Sequence, residues 1–286
     1  TSPVLTKIAG PDIINRATSI ALDSNNFPNI SYYDESNNDQ KFARCTNINC
    51  TTSNLTTIEK GVGGGSTQSS SIKLGPDSLP RISYFNSSFG RLKFARCLDV
   101  NCTTKNINNV DNMSSYEGIY QSIALGSDGF ARISYSLGDY NLKFARCLDV
   151  DCVTKNITTV DSIGNVGEYN SLVLGFDGFA RISYRDRTNY DLKFARCLDI
   201  DCTAKNITTL DSIGNVGEYS SIALGPNGFA GISYYDSTNS ALKFVECLND
   251  DCTLKNINTV DSNNSSGKFT SLAIGSDGFA KISYHD

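Results

Sequence analysis

Residues 171–220 read SLVLGFDGFARISYRDRTNYDLKFARCLDIDCTAKNITTLDSIGNVGEYS, and copies of this stretch begin near Ser19, Ser71, Ser122, Ser221 and Ser271. Self-similarity with a period of about 50 residues marks an array of stacked supersecondary units, because one such unit cannot bury its own apolar face. The array covers nearly all of the 286 residues, so a single domain spanning 1–286 is expected, with 1–18 as a closing segment ahead of the repeats.

Each unit reads as four strands. In SIALG (122–126), Ser122, Ala124 and Gly126 alternate with Ile123 and Leu125, the period-two signature of a strand. Ser127, Asp128 and Gly129 supply a tight turn into FARISY (130–135), rich in aromatic and β-branched residues. After a variable polar loop, LKFARC (142–147) gives a third strand and CVTKNITTV (152–160) a fourth. The longest link, DSIGNVGEY (161–169), carries two glycines and suits a chain crossing from the outer edge of one sheet to the inner edge of the next. One meander per period, an Asp-Gly turn inside it and a glycine-bearing crossover resemble the blades of β-propeller proteins. The resemblance covers essentially the whole chain, without the WD dipeptide or the kelch double glycine. It implies an all-β, six-bladed propeller of four-stranded antiparallel blades.

The ends fit that count with a gap. Leu5–Gly10 aligns with the fourth strand of a repeat, while 271–286 holds only the first two strands. Joining the termini would close the last blade, but its third strand is missing. A three-stranded blade, further chain beyond Asp286, or a strand donated by another copy would each fill it, and donation would assemble filaments through an open sheet edge.

The ten cysteines form five pairs at one spacing: Cys45 with Cys50, Cys97 with Cys102, Cys147 with Cys152, Cys197 with Cys202, and Cys247 with Cys252. One pair per repeat across a four-residue turn reads as a local disulfide, and hence as an extracellular, secreted or cell-surface protein. A formal net charge of -5 offers no basic surface for nucleic acid. No apolar run is long enough to span a membrane. Among the sequons, Asn54, Asn86, Asn112, Asn156, Asn206 and Asn264 are the candidate glycosylation sites.

The loops after the second strand vary from copy to copy while the tight turns repeat, so the loop face is the expected binding surface. Tyr33, Phe85, Tyr140, Tyr190 and Tyr235 are the exposed aromatics expected there, with Asp186 and Asp236 beside them. Aromatic rings next to Asp and Asn suit a glycan, by stacking and by hydrogen bonding to hydroxyls. The recurrent tyrosines of ISY (84, 135, 184, 234, 284) are expected in the core, and Tyr120, Tyr169, Tyr219 and Phe269 in packing. Lys193 and Arg196 recur beside Asp199 and Asp201 and are read as their ion-pair partners or as solvated edges. These short acidic turns lack the ligand ladder of a calcium loop, so no metal or cofactor is expected. His285 is the only histidine, which leaves no His-activated nucleophile within the chain. No pair of repeat-breaking carboxylates is evident for a glycosidase. The reading is a non-catalytic binding or scaffold protein, lectin-like through its loop face, whose partner is a glycan or a cell-surface protein. The alternatives are a subunit of an extracellular filament that self-associates through the incomplete blade, and a glycoside hydrolase or lyase.

Overall fold

The alternation in each repeat folds as hairpins. The computed structural model describes residues 14–64, 69–112, 119–263 and 266–285, and among these every regular element is a strand. Six antiparallel sheets result, five of four strands and one of two, each sheet running in chain order from strand to strand. They are numbered here as blades one to six: residues 14–59, 70–112, 119–161, 166–211, 216–261 and 268–285. In blade four the strands are Val166–Leu174, Ala180–Asp186, Asp191–Cys197 and Lys205–Asp211. The segment read as an N-terminal closing strand, Leu5–Gly10, lies outside the described residues. Among those that are described, blade six holds only Lys268–Ile274 and Ala280–His285.

The chain divides into two compact units, one ending at Ala131 and including Cys147–Lys155, the other made of Arg132–Arg146 and residues from Asn156 onward. Within the second unit the apolar faces of blades four and five meet: Leu192, Phe194, Ile222, Ile232, Tyr234 and Val245 form one buried cluster. The first unit repeats the arrangement with Phe42, Ile58, Ile72, Ile82 and Tyr84. Each such side chain contributes about 1.5–3 kcal/mol on burial, which explains why the repeat keeps large apolar residues on both faces of its inner strands.

Small polar residues join successive blades. The Ser that opens each copy accepts a hydrogen bond from the first strand of the next: Ile72 N to Ser19 Oγ (3.1 Å), Ile222 N to Ser171 Oγ (3.2 Å), Leu272 N to Ser221 Oγ (3.0 Å). One level higher the Ser of ISY bonds the next blade as a donor, as from Ser134 Oγ to Asn170 Oδ1 at 2.7 Å. A buried ionic group completes the interface. Tyr184 donates to Asp161 Oδ2 at 2.8 Å, Lys193 Nζ lies 2.8 Å from the same oxygen, and Asp186 is 3.5 Å from that Nζ. Burial by itself would raise the Asp161 carboxyl, but hydrogen bonds from Lys193, the Ile163 amide and Tyr184 outweigh it and hold the group below the usual carboxylate range. Burial and the same carboxylate push the Tyr184 hydroxyl up, so it stays a donor. Blade five repeats the set with Tyr234, Asp211, Lys243 and Asp236.

All five expected disulfides are present, with Cα separations of 4.7 to 4.9 Å. The fourth strand starts later than the sequence suggests, at Lys155 and not at Cys152. The reason is the turn: Cys152 has φ of 56° and its amide bonds Asp149 O, while Asp149 accepts from the amides of Asp151, Val153 and Thr154. In the equivalent turn burial would raise the Asp199 carboxyl, but bonds from Thr203, Ala204 and Asp201 bring it down to about 2. These aspartates thus cap their own hairpins. The expected pairing of Lys193 and Arg196 with Asp199 and Asp201 is corrected. Lys193 turns to Asp161 and Asp186, and Arg196 reaches the next blade's turn at Asp250 (3.2 Å) and Asp251 (3.1 Å). Successive residues of a strand point to opposite faces, and the blade's neighbours supply the partners.

Candidate binding site

Loops after the second strand are tied to the crossovers on either side of them. The Val216 amide donates to Tyr190 O at 3.0 Å, and the Ser237 amide to Asn215 O at 2.8 Å. The crossover into blade five is thereby held between the loops of blades four and five. Its glycine is required by close approach: Gly217 has φ of +90°, and a Cβ there would stand 3.1 Å from the Leu192 Cα.

The loop residues expected to be exposed divide into two groups. Tyr140 and Tyr190 are 42% and 48% exposed. Tyr33, Phe85 and Tyr235 are buried, contrary to the expectation of exposed rings. They sit one residue after the ISY tyrosine, inside the strand, so the neighbouring blade covers them; the Tyr33 hydroxyl lies 2.6 Å from Gly63 O. Asp186 and Asp236 are also buried. They cap their own loops, accepting from the Asn189 amide (3.1 Å) and the Asn239 amide (3.0 Å), and so do not face solvent. Tyr284 is 39% exposed, unlike Tyr84, Tyr135, Tyr184 and Tyr234, which are fully buried.

Tyr190 stands in a setting that no other copy has. Its φ of 62° is shared by the equivalent Asn38, Tyr140 and Ser240 (53° to 59°) and by Gly90 of blade two (61°), so the left-handed backbone belongs to the loop and the neighbours of the ring set Tyr190 apart. The Arg185 guanidinium lies over its ring, 5.5 Å from the centroid, a favourable cation–π contact. Arg185 is itself buried among carboxylates: Nη1 is 2.9 Å from Glu168 Oε2, while Nη2 is 2.8 Å from Asn215 Oδ1 and 3.3 Å from Glu218 Oε1. Arg187 donates to Glu168 Oε1 at 3.3 Å with 53% of its side chain exposed. Two guanidinium groups and two carboxylates make the cluster neutral. Arg185 and Arg187 both interrupt the repeat, where the next copy has Tyr235 and Ser237. That interruption was a usable signal, and a search for unpaired acids alone passes over it.

The next interface inverts the chemistry. Lys268 occupies the position of Glu218, and its Nζ lies 5.5 Å from the ring of Tyr235, which occupies the position of Arg185. Beside these groups runs a half-buried ladder of rings that the sequence assigns to packing: Tyr169 to Tyr219 at 4.6 Å and Tyr219 to Phe269 at 4.4 Å between centroids. Each ring sits at a bulge where the first strand's register shifts, and each has positive φ. His285 meets Phe269 edge-on at 6.3 Å.

Among the described residues no group of three His, Cys, Asp or Glu is placed to hold a metal ion. No helix among them is long and apolar enough to cross a membrane. Of the sequons, Asn54, Asn112, Asn156 and Asn206 are exposed. Asn86 is buried at the start of its loop, where Oδ1 accepts from the Phe89 amide, so a glycan has no room there. Asn264 lies outside the described residues.

No protein-family model matches the chain, and no curated protein matches its sequence. Solved structures do share its fold. A variant of AofleA from Arthrobotrys oligospora with three arginines replaced by alanine aligns with a TM-score of 0.66 at 10% identity, covering 96% of this chain and 81% of that one. The SapL1 lectin, solved with alpha methyl fucoside, aligns at 0.58 and 11% identity over 91% and 85% of the two chains. The polysaccharide lyase Uly1 aligns at 0.55 and 12% identity over 93% and 75%. The fold is that of a β-propeller, and proteins sharing it include both a sugar-binding lectin and a polysaccharide-degrading enzyme.

Proposed function

We propose that this propeller-fold chain is a non-catalytic, lectin-like module that binds a neutral glycan at the loop rim between blades four and five. The observation that carries the reading is the group around Tyr190, in which an exposed ring is backed by Arg185 and neighboured by the half-exposed Arg187. A pyranose presents an apolar face and a fringe of hydroxyls; the ring suits the first, and guanidinium donors with carboxylate acceptors suit the second. Charge neutrality of the cluster favours an uncharged sugar over an acidic one.

The way the acids of this cluster are used supports binding without turnover. Glu168 is buried and takes both arginines, and Glu218 is held by Arg185. A glycosidase needs one carboxyl to deliver a proton and another facing the anomeric carbon, whereas both of these carboxylates are engaged by arginines. The five disulfides suit an oxidising, extracellular setting, where the glycans of a cell surface are within reach.

The test is a glycan array followed by calorimetry on the best hit. Tyr190→Ala and Arg187→Ala should each weaken binding by about tenfold or more, while Tyr140→Ala, whose loop has Ser136 in place of Arg185, should leave it unchanged. Binding that survives Tyr190→Ala, or an array on which only acidic sugars score, overturns this assignment.

A further inference from the structure

The far end of blade five, away from the loop rim, holds a cavity that the repeat normally fills from within. In blades two and four an arginine opens the second strand and folds under the preceding tight turn. Arg81 Nη2 is 2.7 Å from Asp77 Oδ2 and Nη1 is 3.2 Å from Leu79 O. Arg181 makes the same contacts with Asp177 at 2.8 Å and Phe179 O at 3.2 Å. The guanidinium lies against the first glycine of the turn, so close that a Cβ on Gly75 or Gly175 would meet it at 2.9 Å. Blade five has Gly231 at this position, and its turn aspartate is Asn227. The cross-strand partner of the missing arginine changes as well. Arg81 faces Arg96 and Arg181 faces Arg196, but Gly231 faces Glu246.

The result is a cavity of about 390 Å³ walled by Gly225, Asn227, Phe229, Gly231, Phe244 and Glu246, with Phe279 and Ile274 from blade six. Two positive charges have gone, and the carboxylate lost from the turn at Asn227 is replaced by that of Glu246. Of the acceptors that served the arginine the carbonyl remains, while the aspartate carboxylate is replaced by Asn227, whose Oδ1 accepts from the Phe229 amide at 3.1 Å, and the carboxylate of the site is now that of Glu246. Phe229 O takes the Gly225 amide at 2.9 Å, as Phe179 O takes the Gly175 amide while also accepting from Arg181. The equivalent second site on Phe229 O is therefore left for a guest. Glu246 is bonded through Oε2 to Asn256 at 3.2 Å, which orients its carboxylate.

We propose that this cavity binds an alkylguanidinium, taking from outside the group that blades two and four supply from their own chain. A planar cation with five donors suits a cavity lined by the Glu246 carboxylate, the Phe229 carbonyl and the Asn227 amide oxygen, and the phenyl rings favour a cation and its methylene stem. Ile274 and Phe244 lean into the space above Gly231, within 2.9 Å of where its Cβ would be. Both contacts are side-chain tips, which a group placed directly above Gly231 has to displace.

The probe is agmatine, titrated calorimetrically into the whole protein. Saturable binding is expected, with butylamine, which lacks the planar fork, binding at least about tenfold more weakly. Glu246→Gln should weaken agmatine by about tenfold. Gly231→Arg fills the cavity from within and should abolish binding. If that variant fails to fold, Glu246→Arg, which restores the residue of blades two to four, should abolish binding instead. Competition by the tripeptide Gly-Arg-Gly would extend the ligand to arginine side chains of proteins, and its failure would confine it to small alkylguanidines; either supports the site. No binding of agmatine, equal binding of butylamine, or a folded Gly231→Arg that binds agmatine like the parent overturns it. Glycan binding is read at the opposite end of the blade by other variants, so the two assignments fail separately.

Discussion

Replacing Tyr190 by alanine and by glycine separates its backbone from its side chain. At φ of 62° any residue with a Cβ carries a left-handed penalty of about 1–2 kcal/mol. Both replacements lose the contact with Arg185, worth about 0.5–1 kcal/mol at a partly exposed site, and whatever the half-buried ring gains from its surroundings. Only glycine relieves the backbone, and it gives back about 0.5–1 kcal/mol through the greater freedom of the unfolded chain. Tyr190→Gly should therefore be more stable than Tyr190→Ala by about 0.5–1 kcal/mol, or a melting temperature about 1–3 °C higher for a chain of this size. Paired thermal and urea denaturation of the two variants measures this difference, and it is trustworthy because both lose the same ring. Glycan affinity should fall equally in both. Equal stability of the two variants would show that the left-handed backbone carries no penalty at this loop position.

Removing Lys243 as Lys243→Met leaves the buried carboxylates of Asp211 and Asp236 without their cation; a loss of about 3–5 kcal/mol is expected by denaturation, and the double variant with Asp211→Asn should recover part of it. Acid should destabilise the protein between about pH 4 and pH 2: the Asp149 and Asp199 carboxyls lie at about 2 in the folded chain, below their unfolded value, so their contribution is full above that value and lost as pH falls through 2. A melting curve flat from pH 4 to pH 2 contradicts this. Each disulfide closes a short loop, so Cys197→Ala with Cys202→Ala should cost about 2 kcal/mol, with mass spectrometry of the parent showing no free thiol at these positions. Gly217→Ala should cost more than 1 kcal/mol by denaturation, because both its φ and the approach to Leu192 exclude a methyl group.

Legibility in the sequence followed the range of the contact. Strand alternation, the Asp-Gly turns and the Cys pairs involve residues within a few positions of one another, so the pattern of SIALG, FARISY and LKFARC was enough to place them. The turn after Cys152 shows the limit of that pattern: β-branched residues argued for an earlier strand, and the side chain of Asp149 captured the amides instead. At the candidate site, Tyr33 and Tyr190 both lie near variable loops, yet one is covered and the other exposed.

From the repeat alone came an all-β chain of clasped four-stranded units, because each unit's hydrogen bonds and disulfide close locally. The tertiary structure decided which groups meet across blades. It set Lys193 against Asp161, 32 residues away, built Arg185 into a nest of carboxylates, and turned the change from arginine to Gly231 into a cavity. Those pairings depend on how one sheet packs on the next. Side chains of nearly identical copies acquire different neighbours there, and no spacing within a copy encodes that difference.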